Sequence, residues 1–135
     1  MKLKKKHYFL GIVVLIFLVI LLIFISRMKI VNLNFATVVT INDAGKSIQI
    51  TGDELEELIN ICEGIATTGS PSCGFGRFQL IFEGNGKVVT IYPTCDTCSQ
   101  MQYGQDYEYF YMISLSDREK LVKILEKYDI KFPCV

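Results

Sequence analysis

The first pattern along the chain is an uninterrupted apolar run, Tyr8–Ile25, which contains no charged residue, no proline and no Asn or Gln. A helix of this length rises about 27 Å at about 1.5 Å per residue, close to the roughly 30 Å hydrocarbon core of a bilayer. The core helix of a soluble domain normally carries a polar stripe, which this run lacks. The run therefore predicts a single transmembrane helix over residues 8–25, in contact with the lipid bilayer.

The charges that flank this run predict its orientation. Four lysines lie in residues 1–7, whereas only Arg27 and Lys29 follow the run closely. An excess of cations marks the cytoplasmic side of a span. We therefore expect a basic cytoplasmic tail over 1–7 and an extracytoplasmic C-terminal part, held at the plasma membrane.

A cleaved signal peptide is the alternative interpretation of the apolar run. Such a peptide has an apolar region of about 7–15 residues followed by small residues at the cleavage site. The run here is longer, and the segment after it, "FISRMKI", has no small-x-small pattern. A lipoprotein would need a cysteine directly after the run, and the first cysteine is Cys62. A retained signal anchor is the better prediction.

Beyond a juxtamembrane linker predicted for 26–34, the pattern changes to short strands and one helix. "FATVVTI" (Phe35–Ile41) and "KSIQI" (Lys46–Ile50) are β-branched runs joined by a turn, so they predict two strands. A capping box from Thr51 to Glu54 then predicts the start of a helix. Its apolar face recurs at helical spacing through Leu55, Leu58, Ile59 and Cys62.

The clearest local signal is a β-hairpin. "FQLIF" and "VVTIY" flank the pair Asn85-Gly86, which favours a two-residue type I′ turn. With those two residues in the turn, Phe82 lies opposite Val89 and Leu80 lies opposite Ile91. The apolar residues then meet on one face, so the turn and the hydrophobic pattern predict the same register.

The rest of the chain predicts a loop, a strand and a second helix. A polar loop (Pro93–Asp106) precedes a strand (Tyr107–Ser114), and Ser116 with Glu119 predicts the cap of the final helix. The resulting order is β-β-α-β-β-β-α. We therefore predict an α+β domain over 35–135, a small antiparallel sheet with two helices packed on it and stapled by disulfides.

Charge and composition narrow the function classes. All 14 acidic residues lie between Asp43 and Asp129, and only eight of the 14 basic residues lie beyond Lys29, so the outer part carries a net charge of −6. An acidic domain is not expected to bind nucleic acid.

The sequence also lacks the residues of common catalytic sites. The single histidine, His7, lies in the N-terminal tail, which leaves the predicted domain without a base for serine or cysteine nucleophiles and without a histidine ligand for zinc. The carboxylates Asp53, Glu54, Glu56 and Glu57 cluster in one helical turn, where they favour the helix dipole. We predict a domain without enzymatic activity and without a cofactor.

Five cysteines in an outward-facing domain predict disulfides. Cys62 lies on the apolar face of the predicted helix, so we expect it to be the unpaired one. If the hairpin register continues, Cys73 lies opposite Cys98, which leaves Cys95 to pair with Cys134. These four cysteines could instead form an all-cysteine zinc site. The C-x-x-C spacing also leaves open a membrane-anchored thiol-disulfide oxidoreductase that uses Cys95 and Cys98.

The final pattern is a row of tyrosines. Tyr107, Tyr109 and Tyr111 alternate along the predicted strand, and Tyr103 precedes them in the polar loop. Exposed tyrosines make good recognition surfaces, whereas buried ones pack beneath a helix. We predict that the loop and the tyrosines bind a partner, either another membrane protein or a component of the cell envelope.

Overall fold

The computed structural model describes residues 2–76 and 78–131 of the chain. Within these residues the helices are α1 (Lys2–Ser26), α2 (Asp53–Cys62) and α3 (Leu115–Lys127). The strands are β1 (Met28–Val31), β2 (Val38–Asp43), β3 (Lys46–Ile50), β4 (Gly64–Thr68), β5 (Gln79–Gly84), β6 (Lys87–Pro93), β7 (Gln100–Tyr103) and β8 (Tyr109–Met112).

All of these strands belong to one antiparallel sheet in the order β1-β4-β8-β7-β6-β5-β2-β3. The prediction of an α+β fold with an antiparallel sheet is confirmed. The predicted element order is wrong, because the part of the chain that the structure describes has eight strands instead of five. The strands that the sequence pattern did not reveal are β1, β4 and β7.

The segment predicted as a juxtamembrane linker, 26–34, contributes to the sheet and to the core. Met28–Val31 pairs with β4, and the side chains of Val31 and Leu33 are buried. Glu63 Oε1 accepts hydrogen bonds from the backbone N–H of Leu33 and from Asn34 Nδ2, both at 2.9 Å. The sheet therefore begins at Met28, only one residue after α1, and not at Phe35.

The sequence pattern does not indicate strands β4 and β7, and the reasons differ. Gly64–Thr68 directly follows α2 and contains only one large apolar side chain, so its pattern resembles the end of a helix. Gln100–Tyr103 lies inside the predicted polar loop, where two glutamines hide the alternation of the strand. Strand β4 pairs with β1 and β8, which are distant in sequence, whereas β7 pairs with β6 and β8, its neighbours along the chain. In both cases the pairing decides the conformation, which local propensity does not encode.

The hairpin of β5 and β6 has the predicted register. Phe82 pairs with Val89 and Leu80 pairs with Ile91. Asn85 and Gly86 both have positive φ angles, 49° and 71°, as a type I′ turn requires. The turn and the apolar pattern agree on this register. The hairpin therefore determines where the flanking segments lie, including those that carry Cys73 and Cys98.

The core lies between the sheet and the two shorter helices. Helix α2 buries Leu55, Leu58 and Ile59, and helix α3 buries its own apolar face. Alternate residues of the central strands complete the core on the same side; they are Val39, Ile41, Leu80, Phe82 and Ile91. Large apolar side chains alternate along the strands and recur at helical spacing along the helices. They thus form one layer between the sheet and the helices.

Both helix starts differ from the predicted capping boxes. Helix α2 begins at Asp53 after Gly52, whose φ is 69°, and no side chain caps it. Helix α3 begins at Leu115, and its cap is Ser114, whose hydroxyl accepts a hydrogen bond from Asp117 N at 3.0 Å. The predicted cap Ser116 lies inside this helix.

Helix α1 is apolar and has no packing partner along most of its length. Its Tyr8–Ser26 segment is 19 residues long with a mean hydropathy of 3.4, and none of it is buried. A helix of this length and composition has the properties of a membrane anchor or of a signal sequence. A backbone hydrogen bond of 3.2 Å from Thr68 N to Arg27 O joins the end of this helix to β4.

Candidate functional site

The cysteine-containing loop after β6 is held by a disulfide. Cys73 and Cys98 are bonded, with Cα atoms 6.3 Å apart, which confirms the predicted pair. The hairpin register does not continue unchanged to this point, because the bridge beyond it, Phe75 to Thr94, is shifted by two positions from the predicted ladder. The predicted register therefore identified the correct cysteine pair, although the pairing of the strands changes after Pro93.

Asp96 organises the loop between the two cysteines of the C-x-x-C pair. Its Oδ1 accepts a hydrogen bond from Cys98 N at 2.9 Å, and its Oδ2 accepts one from Gly74 N at 3.0 Å. These two backbone donors, Cys98 first and then Gly74, lower the pKa of the Asp96 carboxyl. The carboxylate thus joins both chain segments that the disulfide connects.

Arg118 attaches α3 to the same loop. Its Nε donates to the carbonyl of Cys98 at 3.0 Å, and its Nη2 donates to the carbonyl of Asp96 at 2.8 Å. Thr94 Oγ1 also donates to the Cys98 carbonyl, at 2.8 Å. We name residues 94–99 with Cys73 and Gly74 the disulfide loop. Hydrogen bonds within the loop and from Arg118 hold it against α3.

The sequence analysis did not identify Asp96 or Arg118. Asp96 had a local signal, because an Asp side chain commonly accepts a hydrogen bond from the backbone N–H two residues later, in an Asx turn. Arg118 had none, since its partners are more than 19 residues away along the chain.

The geometry does not favour a redox dithiol at Cys95 and Cys98. Cys98 is bonded to Cys73, and Cys95 is also disulfide-bonded, so neither is a free thiol. The predicted partner of Cys95, Cys134, lies outside the described residues. The segment also begins no helix whose dipole would lower a thiol pKa.

One group of side chains has the composition of a metal site. The ligand atoms of Cys73, Asp96 and Cys98 lie within 4.8 Å of one another. Both sulfurs are committed to the disulfide, however, so they are not available as thiolates. The oxidised loop is therefore not a thiolate site of the kind that zinc prefers.

Cys62 is free and buried at the end of α2, as the apolar pattern predicted. Burial raises the pKa of its thiol far above the ordinary value. A thiol in this environment stays protonated and unreactive, which fits a role as a small core residue.

The tyrosine row is divided by the structure. Tyr111 is buried, and its hydroxyl donates to the carbonyl of Cys62 at 2.6 Å, so it cannot present its ring to a partner. Tyr103 and Tyr109 are half-buried against the core, while Tyr107 is 60% exposed. Tyr109 and Tyr111 alternate with Phe110 along β8, which turns both toward the side where α2 lies. The sequence left open whether these tyrosines are exposed or packed beneath a helix, and the structure buries Tyr111.

The opposite face of the sheet carries an exposed apolar row. Ile30 and Ile65 are paired across β1 and β4 and are 78% and 55% exposed. Met112, 66% exposed, follows the register of the β4 and β8 pair to lie beside Ile65. We name Ile30, Ile65 and Met112 the apolar row. Large apolar side chains that are exposed together mark surfaces that bind partners.

The carboxylates at the start of α2 have structural partners. Glu54 accepts a hydrogen bond from Lys127 Nζ at 2.5 Å and another from the hydroxyl of Tyr128. These bonds lower the pKa of the Glu54 carboxyl, Lys127 contributing most. They join the start of α2 to the end of α3, so Glu54 has a structural role.

The chain matches no protein-family model, no curated protein and no solved structure. A function proposed for the protein therefore rests on its own sequence and geometry.

Proposed function

We propose that this protein is a single-pass anchored domain that binds a partner outside the plasma membrane and has no enzymatic activity. The observation that carries the proposal is the direct connection between an apolar helix of membrane-spanning length and a disulfide-linked sheet domain, with Arg27 alone between α1 and β1. The lysines before the helix favour a cytoplasmic N-terminus.

The disulfide supports the same placement. Disulfides persist in oxidising compartments and are rare in the cytosol. The Cys73–Cys98 bond together with the acidic character of the domain fits an exterior location. Residues 8–135 contain no histidine that could activate a nucleophile, and Cys62 is buried in the core.

The binding surface has two candidate parts on the described residues. The apolar row is the first, because it exposes three large apolar side chains across adjacent strands. The predicted surface, the loop with its tyrosines, is the second, and its exposed members include Thr97 and Tyr107. The partner is another membrane protein or a component of the cell envelope.

Photo-crosslinking in cells tests the proposal. A photoreactive residue is placed, one variant at a time, at Ile65, Met112, Thr97 or Tyr107, with Gln49 on the edge strand β3 as the matched exposed control. We expect one discrete adduct from at least one of the two candidate parts and none from Gln49. The absence of adducts at all four positions, together with catalytic thiol-disulfide exchange by the purified full chain, would replace the binding function with the oxidoreductase function.

A further inference from the structure

The end of the sheet next to α1 carries an aromatic row. The backbone N–H of Thr68 donates to the carbonyl of Arg27, Thr68 pairs with Tyr109, and Tyr109 pairs with Tyr103. These contacts connect the first residue after α1, strand by strand, to two tyrosines. We name Tyr103, Tyr107 and Tyr109 the tyrosine rim.

The spacing of the strands places the rim close to the end of the helix. Neighbouring strands lie about 4.8 Å apart, so Tyr109 is about 10 Å and Tyr103 about 15 Å from Arg27 along the sheet. The headgroup layer of a bilayer extends about 5–8 Å beyond each side of the hydrocarbon core. The distances run across the strands from the residue that follows α1, so the rim lies at the same end of the sheet as the end of that helix.

A cation joins the rim to the juxtamembrane chain. Lys29, three residues after the end of α1, places its Nζ 4.8 Å from the centre of the Tyr109 ring. A cation over an aromatic face is an attractive arrangement, and it holds both groups on the same side of the sheet. A side chain close to the end of α1 is thus in contact with a tyrosine of the rim.

Tyr107 extends the rim into solvent. It lies in the turn between β7 and β8 with a φ of 52°, and that turn is held by a bond from Gly104 N to the carbonyl of Thr90 at 2.9 Å. Within the described part of the chain, the hydroxyls of the three rim tyrosines make no hydrogen bond, in contrast to Tyr111 and Tyr128. Their polar ends are available to an external acceptor.

We propose that the tyrosine rim inserts into the phospholipid headgroup layer of the membrane that α1 crosses. Tyrosine is enriched at this layer because its ring enters the apolar boundary while its hydroxyl bonds to water and headgroup oxygens. The rim thereby fixes the orientation of the domain on the bilayer. This inference rests on the anchor of the proposed function.

The charges beside the rim predict which class of lipid the contact requires. Arg27 and Lys29 are balanced by Asp106 and Glu108 in and next to the same turn. The contact is therefore made by aromatic rings and hydroxyls, and it does not require anionic lipid. This separates the rim from a polybasic surface, whose membrane binding increases with anionic lipid.

Tryptophan fluorescence of the full chain in proteoliposomes tests the inference, because the chain has no tryptophan of its own. Four single variants are compared: Tyr107→Trp in the rim, Phe17→Trp in α1, Leu115→Trp at the exposed start of α3, and Met112→Trp in the apolar row. Two probes of depth are used, phosphatidylcholine with a nitroxide on its headgroup and phosphatidylcholine brominated deep in its acyl chains.

We expect loss of Tyr107→Trp fluorescence with the headgroup nitroxide, loss of Phe17→Trp fluorescence with the brominated chains, and no loss for Leu115→Trp. Added phosphatidylglycerol should leave the Tyr107→Trp result unchanged. Quenching of Phe17→Trp without quenching of Tyr107→Trp would overturn the rim and leave the anchor in place, and so would quenching of Phe17→Trp and Met112→Trp without Tyr107→Trp. An unquenched Phe17→Trp would overturn the anchor itself. Tyr109→Trp repeats the rim measurement, and mapping of the Cys73–Cys98 bond checks that each variant is folded.

Discussion

Gly84 is a position at which the fold leaves no room for a side chain. A Cβ at this residue would lie 2.1 Å from the carbonyl oxygen of Phe35 and 2.8 Å from Thr37 N. Both contacts are with backbone, which cannot rotate away. Thr37 N also donates to the carbonyl of Glu83 at 2.8 Å, so the two segments are held together at this point.

We therefore expect Gly84→Ala to lower the free energy of unfolding by roughly 1–3 kcal/mol, the usual cost of overpacking. Gly69→Ala is the matched control, since a Cβ there meets nothing within 4 Å. Thermal unfolding of the full chain in detergent measures both. Equal midpoints for the two variants would mean that the close approach at Gly84 is not present.

Tyr111 makes a second prediction at the scale of one residue. Tyr111→Phe removes the donor to the Cys62 carbonyl and leaves that buried acceptor without a partner, so we expect a loss of about 1–2 kcal/mol of stability. Tyr107→Phe, at an exposed hydroxyl, should have little effect. Similar losses from both variants in the same unfolding assay would contradict the burial assigned to Tyr111.

Residues with local signals were predictable and those defined by distant contacts were not. Asn85-Gly86 determines its own turn, and the apolar alternation beside it determines the register. The close contact of Gly84 with Phe35 and the bond from Tyr111 to Cys62 join segments that are far apart in sequence. No spacing or composition rule identifies such pairs from one sequence.

At the scale of elements, the disulfide loop depends on an ionised carboxylate. The pKa of Asp96 is lower in the fold than its ordinary value of about 3.9, because the Cys98 and Gly74 backbones donate to it. A lowered pKa means that the stabilisation is fully present above the ordinary pKa and is lost as the pH falls through the folded value.

We expect Asp96→Asn to be less stable than the parent chain at neutral pH, with the difference decreasing below about pH 4 as the parent carboxylate becomes protonated. Thr97→Ala, an exposed neighbour without a carboxyl, is the control. Unfolding midpoints measured across the acidic range provide the test. A constant difference between Asp96→Asn and the parent at every pH would show that the carboxylate charge is not responsible.

The covalent bond of the same loop has a larger expected effect. The Cys73–Cys98 bond closes a loop with a sequence separation of 25, for which chain entropy gives about 3–4 kcal/mol. The double variant Cys73→Ser/Cys98→Ser should lose stability of this size in the same unfolding assay. A loss below about 1 kcal/mol would show that Asp96 and Arg118 hold the loop without the bond.

The elements that the sequence did not predict share a physical cause. Strands β1, β4 and β7 have four or five residues each, and β1 and β4 pair only with segments distant in sequence. Short strands carry little periodic pattern, so their conformation is decided by the neighbours that they meet. Helices α2 and α3 have regular apolar spacing and were predictable, although their first residues were not.

At the scale of the whole molecule, the central feature is the direct junction between the apolar helix α1 and the sheet. Only Arg27 separates α1 from β1, so the sheet cannot move far from the end of the helix. The apolar helix itself was evident from the sequence, whereas the participation of residues 28–31 in the sheet and of Leu33 in the core was not. This junction keeps the tyrosine rim at the end of the sheet next to α1, while the apolar row is exposed.

Labelling of intact cells with a membrane-impermeant maleimide after mild reduction tests the central claim, the outward-facing anchored domain, most directly. We predict that Cys73 and Cys98 react without lysis, whereas a cysteine introduced by Lys4→Cys reacts only after lysis. Reaction of Cys73 and Cys98 only after lysis, or reaction of the Lys4→Cys cysteine in intact cells, would contradict the account.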